Sequence, residues 1–179
     1  MAAIKIMLAG FGGQGVLFAG KLIANTALIE DREVSWLPSY GPEMRGGTAN
    51  CSVTLSDDPI GSPLVVEPDA LVAMNQPSLD KFASTVEPGG VIVIDATMVP
   101  HIPAELPEGV QLVSIPASAM AEENGLKGLA NIILVGKLWA ATQFCSREAL
   151  EEALKSCVPP RKQHLLEPNL RALQMGIDA

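Results

Sequence analysis

The chain is 179 residues long, carries 20 acidic against 12 basic side chains for a formal net charge of −8, and is 48% hydrophobic but only 18% charged. That length suits a single domain burying about 70% of its unfolded surface, and the thin charged covering points to a face buried against another chain. The acidity excludes non-specific binding to nucleic acid or an anionic membrane, both of which select a clustered basic surface. No apolar run approaches the ~20 residues of a membrane span, and the first ten residues lack the basic start of a cleavable leader, so a cytoplasmic protein is expected. Cys51, Cys145 and Cys157 are far apart with no C-x-x-C pair, so neither zinc nor an iron–sulfur cluster is expected in this chain.

In chain order, Ile4, Ile6, Met7 and Leu8 predict a short strand that runs into Gly10-Phe11-Gly12-Gly13-Gln14-Gly15 and then a helix to about residue 29, apolar almost all round apart from Lys21 and Asn25. A second strand over 33–37 is stopped by Pro38, and residues 39–47 read as an extended, glycine-punctuated loop. Ala49, Cys51, Val53 and Leu55 then alternate with Asn50, Ser52, Thr54 and Ser56, which predicts a strand with one wet face and Cys51 pointing inward. A strand over 69–74 and a helix over 77–86 follow, closed by Pro88-Gly89-Gly90. The β-branched run 91–95 suits a parallel strand covered on both faces. After a proline-rich crossover at 101–109 comes a strand over 110–115, then helices over 128–144, 146–157 and 168–175. Alternating strands and helices predict an α/β, doubly wound, mostly parallel Rossmann-like sheet with extra C-terminal helices, forming one domain over 1–179.

Two stretches carry chemistry. The first satisfies G-x-G-x-x-G between a strand and a helix, so Gly10, Gly12, Gly13 and Gly15 leave backbone N–H groups able to hold an anion. A dinucleotide fingerprint also needs an acid at the end of the second strand, where this chain has Pro38 and Ser39, while Glu30 and Asp31 fall before that strand. Three readings stay open: a dinucleotide site, a turn that only lets helix and strand pack closely, and a helix N-terminus with Gln14 facing an anionic group held mainly by another chain. The second stretch, 39–47, gathers a phenol (Tyr40), a carboxylate (Glu43), a guanidinium (Arg45) and glycines (Gly46, Gly47) behind Ser39. It reads as a substrate or subunit-interface loop, or as an internal Glu43–Arg45 pair on an exposed loop. His101 and His164 stand alone and read as surface residues, and Asp95 with Thr97 reads as a cap at a strand end. No catalytic grouping is visible.

The stretches from Ile6 to Val16 and from Ser39 to Ala49, with 69–76, the Pro88-Gly89-Gly90 turn, Asn131 and Asn169-Leu170, resemble the gamma subunit or gamma-like domain of the pyruvate, 2-oxoglutarate and 2-oxoisovalerate:ferredoxin oxidoreductases. Indolepyruvate oxidoreductase small subunits share the opening. The resemblance implies a subunit of an enzyme that oxidatively decarboxylates a 2-oxoacid to an acyl-coenzyme A, with 2-oxoglutarate or a branched-chain 2-oxoacid favoured as substrate. It implies thiamine diphosphate and iron–sulfur clusters on alpha and beta (and in some complexes delta) partners, coenzyme A in the complex, and ferredoxin or another acceptor for the electrons. On this reading no cofactor is bound by the chain alone, and the two glycine-rich stretches face a shared active site. A homodimer is compatible with it. A free-standing NAD- or FAD-binding protein and a purely structural interaction subunit are the alternatives.

Overall fold

Eleven residues, 38–48, separate the second predicted strand from the third. A connection that short can return the chain antiparallel but cannot make the crossover a parallel pair needs, which takes a dozen residues or more. The computed structural model, which describes residues 3–39 and 48–179, bears this out. Its strands are β1 (Ile4–Phe11), β2 (Glu33–Ser39), β3 (Thr48–Ser56), β4 (Ala70–Ala73), β5 (Val91–Asp95) and β6 (Gln111–Ile115), in the sheet order β2-β3-β1-β4-β5-β6. β1, β4, β5 and β6 pair in parallel, while β3 runs antiparallel to both β1 and β2. Five strands thus point one way and β3 alone opposes them. The expected α/β architecture holds, but the sheet is mixed.

Period-2 alternation sorts the core into two layers. Ile6, Leu8, Val53, Val72 and Val93 face α1 (Val16–Ile29), α4 (Ala130–Thr142), α5 (Arg147–Cys157) and α6 (Leu166–Asp178), with the short α3 (Ala117–Glu123) beside them. Met7, Leu71, Ala73, Ile92 and Ile94 face α2 (Gln76–Phe82) and the 3-10 turn after it. The wet face expected on β3 is not found. Ser52, Thr54 and Ser56 are only 7%, 7% and 5% exposed, because β3 lies between β1 and β2 and these small side chains are flanked on the same face by larger ones such as Met7 and Leu37 beside Ser52. α1 is buried over most of its length as expected, with Leu28 and Ile29 exposed at its end.

Glycine sets how closely the helices approach. A Cβ on Gly20 of α1 would strike Cys51 Sγ and lie 3.0 Å from Trp36 Nε1, so the helix rests directly on β3 and β2. Between α4 and α6 the constraint is backbone against backbone, since a Cβ on Gly136 would meet Leu173 O and one on Gly176 would meet Ile133 O. Arg32 fastens the start of β2 elsewhere, donating from Nε to Asp57 Oδ1 at 2.8 Å and from Nη1 to Phe144 O at 3.0 Å. Glu30 Oε1 accepts from Ser146 N at 2.7 Å, so the acid considered for a ribose instead helps order the entry to α5.

Two predictions follow from this packing. Alanine normally stabilises a helix interior over glycine by roughly 0.5–1 kcal/mol, but Gly176→Ala should reverse the sign and cost about 1–3 kcal/mol through overpacking. Calorimetry should then show a fall of roughly 2–4 °C in Tm per kcal/mol, and an unchanged or raised Tm would contradict the close approach. Burial, the largest influence, also pushes the thiol of Cys51 up from 9.0 to about 11 and that of Cys145 from 9.0 to about 12. Unfolded thiols ionise from about pH 9 while these stay neutral, so their stabilisation is complete below 9.0 and is lost as pH rises towards 11 and 12. Alkylation of the native protein at pH 8 should spare both cysteines until denaturant is added.

Candidate functional site

In an open α/β sheet, ligands bind beyond the carboxyl ends of the strands where the winding reverses. Here the winding reverses between β1 and β4, neighbours at the centre of the sheet from which the chain departs in opposite directions. The glycine turn lies at that point. Gly10 closes the strand where a Cβ would sit 2.7 Å from Gln14 Oε1 and 2.9 Å from Met74 Cβ, while Gly13 and Gly15 take φ of +94° and +76°. The last two conformations are strained for any residue with a Cβ, and Gly15 is the N-cap residue of α1.

The side chain of Gln14 holds this turn together. Its Oε1 accepts from Phe11 N at 2.6 Å and from Asn75 Nδ2 at 3.3 Å, and its Nε2 donates to Met74 O at 3.0 Å. The amide is thus engaged with the ends of β1 and β4, which leaves the backbone of the turn, rather than Gln14, as the group able to meet an anion. Asn75 in turn caps α2 by accepting from Ser78 N at 2.9 Å. On the other side of the turn, Asn131 Nδ2 in the first turn of α4 donates to Gly15 O at 3.1 Å, which ties α4 to the start of α1. Asn131 Oδ1 is buried with no hydrogen-bond partner among the described residues.

Between these elements lies a cleft of about 280 Å³, with Gly13, Gln14, Asp95, Ser118, Lys127 and Asn131 on its walls. The N-terminus of α4 opens on it beside Gly13, while Gly12, Gly15 and the first residues of α1 line an adjoining cleft that shares Gly13. The leading N–H groups of a helix lack intrahelical partners and carry partial positive charge, so that end and the Lys127 ammonium favour an anion, opposed by the Glu122 carboxylate on the same wall. A Cβ on Gly13 would meet nothing within 4 Å, so the turn presents bare backbone to open space. Asp95 is 1% exposed and works as the cap expected of it, over a longer range than its neighbours in sequence suggested. It accepts from Thr97 N at 3.1 Å and from Ser118 N at 3.2 Å, and Ser118 Oγ donates to Asp95 Oδ2 at 2.5 Å. This ties β5 to α3, whose own N-cap residue is Pro116 and gives no side-chain cap.

Ser39 is the last residue of β2 and pairs with Asn50, and Phe11 pairs with Thr48. Both ends of the second motif therefore leave the sheet at the edge that carries the glycine turn. Tyr40, Glu43, Arg45, Gly46 and Gly47 lie outside the described residues. His101 and His164 are exposed, as expected of them. Among the described residues, no group of three His, Cys, Asp or Glu could hold a metal ion, and no helix is long and apolar enough to cross a membrane. Residues 114–118 read from the sequence as a strand end and helix cap, whereas Ser118 bonds Asp95 and α3 has no side-chain cap; Asn131 was marked only by resemblance.

Residues 5–179 match the pyruvate ferredoxin/flavodoxin oxidoreductase family. This chain belongs to that family. It is 41% identical over 98% of its length to the ketoisovalerate oxidoreductase subunit VorA of Methanothermobacter thermautotrophicus, of which it covers 36%. It therefore spans about a third of that relative's length. The keto/oxoacid ferredoxin oxidoreductase gamma subunit of Geobacter sulfurreducens superposes with a TM-score of 0.83 at 33% identity, covering 98% of this chain and 96% of that one. The 2-oxoglutarate:ferredoxin oxidoreductase of Magnetococcus marinus, solved with 2-oxoglutarate, coenzyme A and succinyl-CoA bound, superposes with a TM-score of 0.87 at 27% identity, covering 98% of this chain and 30% of that one.

A dinucleotide role for this family member fares badly on geometry. An acid that holds a ribose belongs on the strand next to β1, yet β3 stands between β1 and β2. At about 4.8 Å per strand, the end of β2 is displaced by roughly 10 Å from the glycine turn. The turn's dependence on Gln14 is directly testable. Gln14→Ala strips Phe11 N–H and Met74 C=O of their partner and should cost about 1–3 kcal/mol, lowering Tm measurably, with Gln14→Glu intermediate because it keeps an acceptor. A Tm equal to wild type in Gln14→Ala would remove the strut from the account.

Proposed function

We propose that this chain is the gamma-type subunit of a 2-oxoacid:ferredoxin oxidoreductase that converts a 2-oxoacid to its acyl-coenzyme A, residues 1–179 acting as one unit. The observation that carries the reading is the cleft at the β1/β4 reversal, where the bare backbone of Gly13 and the N-terminus of α4 meet beside Lys127, with Gly12, Gly15 and the start of α1 on an adjoining cleft that shares Gly13. Those groups fit the phosphates of coenzyme A, held by backbone N–H groups of Gly12, Gly13 and Gly15 across the two clefts and by the Lys127 ammonium. Coenzyme A, when bound, supplies the thiol that accepts the acyl group. Cys51 and Cys145 are buried and Cys157 half-buried, and the three lie in separate parts of the fold. A cluster does not fit that arrangement, so clusters and thiamine diphosphate fall to alpha and beta partners, with ferredoxin as acceptor in the cytoplasm.

In the same reading Ser39, Tyr40, Glu43, Arg45, Gly46 and Gly47 face a neighbouring chain at the shared site. A branched-chain 2-oxoacid is favoured by the ketoisovalerate relative, with 2-oxoglutarate second. The test is purification of the chain with its native partners and assay of coenzyme A-dependent oxidation of 3-methyl-2-oxobutanoate, 2-oxoglutarate and pyruvate. Lys127→Met should raise KM for coenzyme A roughly five-fold, the worth of one exposed charge contact, and leave KM for the oxoacid unchanged. Purification as a lone chain that binds NAD would overturn the proposal. Unchanged coenzyme A kinetics in Lys127→Met would leave a structural subunit as the better description.

A further inference from the structure

A second cavity, of about 400 Å³, lies between α1, the start of α4 and the segment joining α5 to α6. Its apolar wall includes Phe18, Leu129, Ile132, Val158, Pro159 and Leu165. In a chain of net charge −8, the only charged side chains on this wall among the described residues are cations, Lys21 and Lys162. Neither ammonium has an ion pair or hydrogen bond among the described residues. Two asparagines line it as well, each 6% exposed. Asn169 Nδ2 is committed to Leu165 O at 2.7 Å, and Asn131 Nδ2 to Gly15 O at 3.1 Å. What remains on both is carbonyl oxygen, and that of Asn131 has no partner.

The set is chemically specific. Two unpaired ammonium groups call for an anion, the carbonyl oxygen of Asn169, whose Nδ2 is already committed, calls for an N–H or O–H, and the aliphatic wall calls for an apolar body. Cys157, also on the wall, adds no charge, since burial raises its pKa and its Sγ accepts from Asn25 Nδ2 at 3.0 Å. We infer that this cavity is a second ligand site, for a small aliphatic carboxylate bearing an amino or hydroxyl donor. The carboxylate lies between Lys21 and Lys162, the donor faces Asn169 Oδ1, and the alkyl chain rests on Phe18, Ile132 and Leu165. The site is distinct from the coenzyme cleft and does not depend on that assignment, but Asn131 and Gly128 line both.

The test is isothermal titration of the natively purified protein, with whatever subunits accompany it, using L-leucine and 2-hydroxyisocaproate as probes and isopentylamine as the control without a carboxylate. Saturable millimolar or tighter binding of at least one probe and none of the control is expected. Lys21→Met and Lys162→Met, both on the surface and remote from the glycine turn, should each weaken it about ten-fold, the worth of one charged contact of 1.4 kcal/mol. No saturable binding of either probe, equal binding of isopentylamine, or affinity unchanged in both lysine variants would overturn the site.

Discussion

A single side-chain amide decides the geometry on which everything else rests. Gln14 bonds both to the end of β1, through Phe11 N, and to the end of β4, through Met74 O, so the two strands at the winding reversal are pinned by the residue that starts the helix between them. With that amide engaged, the turn needs glycine at Gly10 for space and at Gly13 and Gly15 for left-handed backbone. The consequence is a stretch of main chain with no side chain in front of it, at the edge of the sheet where α/β proteins meet their ligands. Asn131 completes the arrangement from α4, and Asp95 draws α3 to the same rim through Ser118. The rim is therefore made by polar side chains used as struts, while the backbone is left free to meet a ligand.

This division accounts for a protein rich in polar motifs that presents no self-contained catalytic set among its described residues. Gln14, Asn75 and Asp95 resemble site residues by position, yet each is committed to a backbone N–H or C=O of its own chain. Buried polar groups need such partners, and their satisfaction here fixes the spacing of the helices around the cleft. What is left over to meet an anion is the backbone of Gly13, the N-terminus of α4 and Lys127, with Glu122 as the opposing charge on the same wall.

Local signals in the sequence were enough to find most strands and helices. The run Val91–Asp95 is continuous and β-branched because helices or turns cover both of its faces, and the stripe of Leu150, Ala153 and Leu154 on α5 is buried as its helical spacing requires. The place of β3 between β1 and β2 was less legible, because alternation reports which side of a strand is apolar and says nothing of which neighbour it pairs with. Burial of Ser52, Thr54 and Ser56 was hidden for a similar reason, since small hydroxyl residues suit an exposed strand face and a crowded interior alike. The glycine turn was legible as a motif. Its supports were not, because Asn131 lies 116 residues from Gly15 and Ser118 lies 23 from Asp95, separations at which no periodicity survives.

The central claim is that the main chain of the glycine turn, held by Gln14 and Asn131, is the anion-binding element of this chain. Hydrogen exchange of the natively purified complex with and without coenzyme A tests it most directly, because it reads the amides themselves. The account predicts added protection confined to residues 12–18 and 128–132 when coenzyme A is present. Protection elsewhere with these amides unchanged would contradict it and leave the turn as a packing device alone.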